Sequence, residues 1–337
     1  MTATKRQTEL DILRLLATLE VIMIHGGLGI QTDSEIVKHI YYGIHAAIVW
    51  CVPVFFMISG RFFLDPERNV PLCKILTKYI PHIITVFVFW TAVYTVYYKL
   101  SGAYDDLNIF GIMTQFIEGP YHFWYLYTLV GLYIITPFLR KIAENKQLLV
   151  YFLILFVILN VTTEYLVYLP KVGDIIQSFA DKFCLSMVIG YVGYFMLGYF
   201  LWSIKDSVTK HRELILYVIG IMFFIGTILA EALVSPELRE ADFVKQYMKP
   251  NVVIYSTILY LFFIKRVSKI NFSERAVKIL AFLTEMGFGI YCVHALVNEL
   301  FQISLPCSSL RVICIYLISL VLTYLIRKIP CIGKKIT

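Results

Sequence analysis

The sequence predicts an all-α, polytopic membrane protein with about ten transmembrane helices, and three observations carry that reading. First, 59% of the 337 residues are hydrophobic, only 16% are charged, and the mean hydropathy is +0.75. An average soluble domain is about 45 to 50% apolar and about 25% charged. Second, apolar stretches of the length that crosses a bilayer core, about 20 residues, recur along the chain. Third, the basic residues are distributed unevenly between alternate loops, as topology requires.

The expected spans cover residues 11–31, 41–62, 79–99, 121–139, 149–169, 183–203, 213–233, 250–264, 279–301 and 309–326. With the N-terminus inside, the only Lys and Arg left outside are Lys38, Lys99, Lys171, Lys182, Arg239, Lys245, Lys249 and Arg311, of 30 in the chain. Both termini are therefore expected to be cytoplasmic. The net charge of +7 is a topology signal. Its residues are spread over loops and termini, so no nucleic-acid partner is expected. Residues 1–337 are expected to form one integral membrane domain with no appended soluble domain, and the first span is expected to be retained, because no cleavage site precedes it.

The first span, DILRLLATLEVIMIHGGLGIQ, is the most informative. It carries Arg14, Glu20 and His25, although an ionisable group at the centre of a spanning helix costs about 2.5 to 3.5 kcal/mol and usually faces a protein interior or cavity. Arg14 and His25 are 11 positions apart. At 3.6 residues per turn they share one face, roughly 16 Å apart along the axis. One face thus offers a cation at its start and an imidazole deeper in.

The second span ends in VPVFFMISGRFFL, where Pro53 permits a kink and Gly60 a close backbone approach. The loop after it is basic, and Arg61, Arg68, Lys74 and Lys78 are expected beside Arg14, as anchors or around a polyanionic ligand. The fourth span opens with PYHFWYLY. His122, Trp124, Tyr125 and Tyr127 crowd the expected outer entrance, as an aromatic belt or as a platform for a sugar ring. Glu164 and Glu231 read as interfacial carboxylates near the outer ends of spans five and seven. The glycines of span six (Gly190, Gly193 and Gly198) suit tight packing. Span nine contains His294 at mid-span, a second buried imidazole read first as structural. The seven cysteines include no CxxC pair, and no two histidines stand at i, i+4, so neither disulfides nor a metal site is expected.

Four stretches together resemble the acyltransferase-3 family of integral membrane acyltransferases. They are Asp11-x-x-Arg14 followed by ten residues and His25, PVFFMISG at 53–60, YHFWYLYTLVGLYIITPFLR at 121–140, and MGFGIYCVHALV at 286–297. The resemblance implies a ten-helix membrane enzyme of the cell envelope, multi-pass in a bacterial cell membrane, that moves an acyl group to a hydroxyl of a surface or lipid-linked glycan. The donor it implies is acyl-CoA, typically acetyl-CoA, used as a substrate with no permanently bound cofactor. On that basis His25 is the expected catalytic histidine and Arg14 a donor-site residue, with Arg61, Lys74 and Lys78 as further donor-binding candidates. The chain departs from the family in having Arg61 after Ser-Gly and lysines where an arginine pair is common; a lysine meets phosphate as a point charge, not as a fork. Acyl transfer also needs a base active near neutral pH, which histidine supplies, and donors for a tetrahedral oxyanion. His122, Trp124, Tyr125 and His294 are the acceptor or oxyanion candidates. The competing class is a secondary transporter or flippase, but the chain contains no matching halves of the inverted-repeat kind.

Overall fold

The computed structural model describes residues 6–26, 34–68, 70–167, 169, 171–183, 190–235, 244, 246–301 and 308–337, and among these there is no β-strand. The longer helices are α1 (Thr8–Gly26), α2 (Glu35–Ile48), α3 (Cys51–Leu64), α4 (Ile80–Leu100), α5 (Ile109–Glu118), α6 (Trp124–Glu144), α7 (Lys146–Phe156), α8 (Val172–Phe183), α9 (Val192–Ile204), α10 (Lys210–Leu233), α11 (Pro250–Lys265), α12 (Glu274–Phe301) and α13 (Ser308–Arg327). The molecule is an all-α membrane protein.

Eight segments among the described residues are long and apolar enough to cross a membrane: Ile36–Leu64, Leu72–Leu100, Tyr121–Glu144, Lys146–Leu166, Lys210–Leu233, Pro250–Lys269, Glu274–Leu300 and Leu310–Arg327. They match eight of the ten expected spans. The first and sixth do not reach the criterion, each for its own reason. Helix α1 carries Glu9, Asp11, Arg14 and Glu20 within 19 residues, which lowers its hydropathy. The sixth is represented by the 13 residues of α9, and residues 184–189 of that expected span lie outside the described residues, as do 27–31 of the first.

Helix α1 lies within the bundle, packed against α12, α3, α13 and α11. Leu10, Leu13 and Ala17 are fully buried there, so the charged helix is shielded by its neighbours. The second span is broken at Val49 and Trp50 and resumes at Cys51. Pro53 explains the break: it lacks an N–H, and its ring crowds the carbonyl four residues earlier, that of Val49. Helices α3 and α9 cross at reciprocal glycines. A Cβ on Gly60 would collide with the Phe195 carbonyl, and one on Gly198 with the Met57 carbonyl. Small residues allow this backbone contact where lipid supplies no hydrophobic drive between helices. The two glycines therefore set how closely the wall behind α1 can pack. Cys51, Cys73, Cys292, Cys314 and Cys331 are free thiols; Cys184 and Cys307 lie outside the described residues.

Candidate active site

A cavity of about 300 Å³ runs along α1. Arg14 and His25 both line it, together with His122, Trp124, Tyr125 and His294. Six sequence-selected residues from three separate stretches therefore share one chamber. The rest of its wall is mainly apolar, including Leu15, Ile22, Phe55 and Phe288, a lining in which a few polar groups fix orientation.

At one end the histidines are arranged in a chain. His294 is 1% exposed, and its Nδ1 lies 2.7 Å from the Tyr291 carbonyl. A carbonyl can only accept, so Nδ1 of His294 carries the hydrogen, and a neutral ring then presents Nε2 as an acceptor. That Nε2 is 2.8 Å from Nδ1 of His25. His25 must therefore donate from Nδ1, which leaves its own Nε2 bare. One backbone carbonyl thus dictates which nitrogen of His25 has a free lone pair. The rings of His25 and His294 are nearly parallel, 18° apart, with centroids at 5.1 Å.

The surrounding helices hold this chain in place. On α4, the Tyr94 hydroxyl donates to the Cys292 carbonyl at 3.1 Å and accepts the Leu296 N–H at 2.9 Å, bridging the turn of α12 that bears His294. The Tyr291 hydroxyl donates to the His122 carbonyl at 2.5 Å. The last turn of α1 has carbonyls without intrahelical partners. There Asn298 donates to the His25 carbonyl at 3.3 Å and is itself held by Arg311 at 2.8 Å.

His122 is 2% exposed, and neither of its ring nitrogens has a hydrogen-bond partner among the described residues. Its ring centroid stands 5.9 Å from His25 and 5.1 Å from His294. A buried polar group left unsatisfied calls for an explanation, and a donor reserved for a ligand atom is one. The Tyr316 hydroxyl, also on the cavity wall, is buried and likewise has no partner among the described residues. Sequence reasoning missed Tyr316, because a tyrosine in an apolar helix carries no local mark of a site.

The other end is marked by Arg14, the one Arg or Lys on the cavity wall among the described residues, with Arg68 nearby. Arg14 is 30% exposed at its side chain and lies 3.5 Å from Asp11, which also binds Arg6. The Phe62 ring lies under two cations, Arg14 at 4.6 Å and Arg68 at 4.0 Å from its centroid. Burial lowers the pKa of the Arg68 guanidinium, Arg61 adds to the shift, and Asp65 opposes it. Mutually repelling cations of this kind are relieved by an anion. The loop carrying Arg68 is fixed by Arg140 of α6, which donates to the Phe63 and Val70 carbonyls at 2.7 Å each.

The remaining donor candidates are engaged by other partners or exposed. Arg61 is 4% exposed, ion-paired with Asp65, and stacked 3.8 Å over Trp202. Like Arg68, it does not line the cavity itself. Lys74 and Lys78 are exposed, with Lys74 standing 5.7 Å from the Tyr79 ring centroid. The structure thus places Arg68, and not these three, beside Arg14.

Comparison with curated proteins and with solved structures returned no match. A family model described as an acyltransferase domain matches residues 7–328. That range holds both the guanidinium end and the histidine end of the cavity. The chain is a membrane acyltransferase belonging to the acyltransferase-3 family.

Proposed function

We propose that this enzyme transfers an acyl group, acetyl from acetyl-CoA, to a hydroxyl of a cell-surface or lipid-linked glycan. The observation that carries the reading is the hydrogen-bonded order from the Tyr291 carbonyl through His294 to His25, which leaves a bare Nε2 at one end of a cavity whose other end is cationic. The donor enters from the cytoplasmic side with its phosphates at Arg14 and Arg68, where a cationic mouth raises the local concentration of a polyanion. Its thioester reaches toward His25. Trp124 and Tyr125 bound the acceptor side.

In the reaction, Nε2 of His25 takes the proton of the acceptor hydroxyl as its oxygen bonds to the thioester carbon. The positive charge that forms on His25 is oriented by the Nδ1 hydrogen bond to His294. The carbonyl oxygen becomes an oxyanion, and a ring N–H of His122 donates to it. Collapse breaks the carbon–sulfur bond, and His25 returns its proton to the leaving thiolate. Products are the acyl ester and free CoA. The protein sits as a single multi-pass domain in a bacterial cell membrane, with both termini cytoplasmic and lipid around its outer faces.

The test is purified protein in liposomes with labelled acetyl-CoA. Free thiol release that depends on His25, with no stoichiometric label left on denatured protein, is the expected result for a general base. Stoichiometric label on His25 would make it an acyl carrier. Uptake of a polar solute without thiol release would favour a transporter.

A further inference from the structure

A second cavity, about 350 Å³, adjoins the first and shares Ile24 and Tyr247 with it. Ile24 immediately precedes His25 on α1, so the wall shared by the two chambers is one residue from the proposed base. Its polar lining is Glu164, His45 and Gln246, and its aromatic lining is Tyr191 and Tyr247. These two rings lie 6.2 Å apart at an interplanar angle of 57°, and Trp124 stands 5.1 Å from one and 5.9 Å from the other.

The charge in this chamber is arranged in an unusual way. The Lys249 side chain is 0% exposed and that of Glu164 is 26% exposed, with Nζ at 3.5 Å from Oε2. The same Nζ donates to the Glu164 carbonyl at 2.6 Å. The ammonium is hidden behind the carboxylate that it neutralises. Burial pulls the Lys249 pKa below its usual value, and Glu164 opposes that shift. A ligand in the chamber therefore meets carboxylate oxygens belonging to a pair with no net charge. An anion is repelled by those oxygens, and a cation finds their charge already offset. A neutral hydroxyl can still donate to their lone pairs, and it loses less from the offset than a full positive charge does. The amide of Gln246 both donates and accepts, as vicinal hydroxyls require, and Tyr247 and Tyr191, the latter stacked on Phe56 with centroids 4.7 Å apart, bound the chamber with aromatic surface.

We infer that this second chamber is the acceptor subsite, and that it takes an uncharged, hydroxyl-bearing ring, held at its hydroxyls by Glu164 and Gln246 and bounded by Tyr191 and Tyr247. The inference rests on the acyl-transfer reading for its purpose, but its test reads binding alone. Full-length protein in detergent is titrated with four labelled probes: methyl glucoside, glucosamine, glucuronate and glycerol. Methyl glucoside is expected to bind about 10-fold or more tightly than either charged sugar, consistent with the strength of one hydrogen bond to a charged group. Glu164→Gln should weaken it by about 10-fold. Because Glu164→Gln takes a carboxylate away from a buried ammonium and can cost folded protein, Gln246→Ala, at an exposed position, is the second variant and should also weaken binding. Preference for a charged sugar, unchanged affinity in folded Gln246→Ala, or no binding of any probe overturns the assignment. Glycerol binding as tightly as the ring would instead assign the chamber to a lipid headgroup and overturn it too. If the wild type binds methyl glucoside but releases no thiol from acetyl-CoA, the acyl-transfer reading fails while the subsite stands.

Discussion

The two ends of the cavity along α1 are built on opposite plans. At the histidine end, every ring is buried or half-buried and each nitrogen of His294 is committed to a named partner. At the arginine end, Arg14 keeps 30% of its side chain exposed and touches Asp11 at a loose 3.5 Å, while Arg14 and Arg68 share one aromatic face. The difference follows from what each end is asked to do. Proton transfer needs fixed geometry within hydrogen-bond reach, so the base is over-determined by its neighbours. Capturing a flexible polyanion needs charge and adaptable donors, and long side chains over a ring supply both at modest ordering cost.

That contrast is testable by substitution, with each rate normalised to folded protein in the membrane. The largest effect is expected from His25→Ala, with kcat falling by about 100-fold or more and donor KM nearly unchanged. A near-normal kcat in well-folded protein would remove the base from this end. His122→Phe keeps a planar ring but deletes both nitrogens. It should lower kcat by about 100-fold if it donates to the oxyanion, whereas a packing role predicts little change.

His294→Ala frees Nδ1 of His25 to choose either tautomer, and a drop of about 10-fold or more in kcat is expected, as for outer partners that orient a histidine. His294→Gln places an amide oxygen where Nε2 stood, so it should restore part of the rate. Equal loss in both variants would mean that the ring only fills space. At the arginine end, Arg14→Ala should raise donor KM by about 10-fold, the value of one charged hydrogen bond, with kcat held, because uniform binding is what it removes. Arg14→Lys should recover only part of this if a forked contact matters. The smallest effect is expected at Lys74 and Lys78. Both are exposed, so their alanine variants should shift donor KM only slightly, and the shift should vanish as salt rises. A kcat effect at the arginine end, or a pure KM effect at the histidine end, would dissolve the contrast.

Much of this was legible in the residues alone. Composition and run length gave the all-α membrane class. Cost and spacing singled out Arg14 and His25, and both line the cavity. Pro53 marked a break that occurs four residues before it, and Gly60 marked a backbone contact. Among the described residues eight segments meet the length and apolarity of a span where ten were expected: the charges that make α1 informative also lower its hydropathy, and α9 has only 13 residues. Arg61 shows the opposite lesson. It stands one residue from Phe62 yet turns to Asp65 and Trp202, and nothing in its local sequence distinguishes an inward ion pair from a ligand contact. Glu164 reads as an interfacial carboxylate from its place near a span end, but it covers a buried Lys249.

The sequence by itself determined the features that repeat or cost energy locally: helical class, span length, and which ionisable groups are too expensive to be idle. Periodicity and burial cost are properties of a single helix, so a single helix's residues report them. Only the tertiary structure decided that His294, 269 positions from His25, completes its hydrogen bond, that a Tyr291 carbonyl sets the tautomer of both rings, and that Arg68 joins Arg14 over Phe62. Those are contacts between helices. They depend on crossing distance and rotation, fixed here by close approaches such as Gly60 against Phe195 and Gly198 against Met57, and no spacing within one helix encodes the face that a distant helix will present.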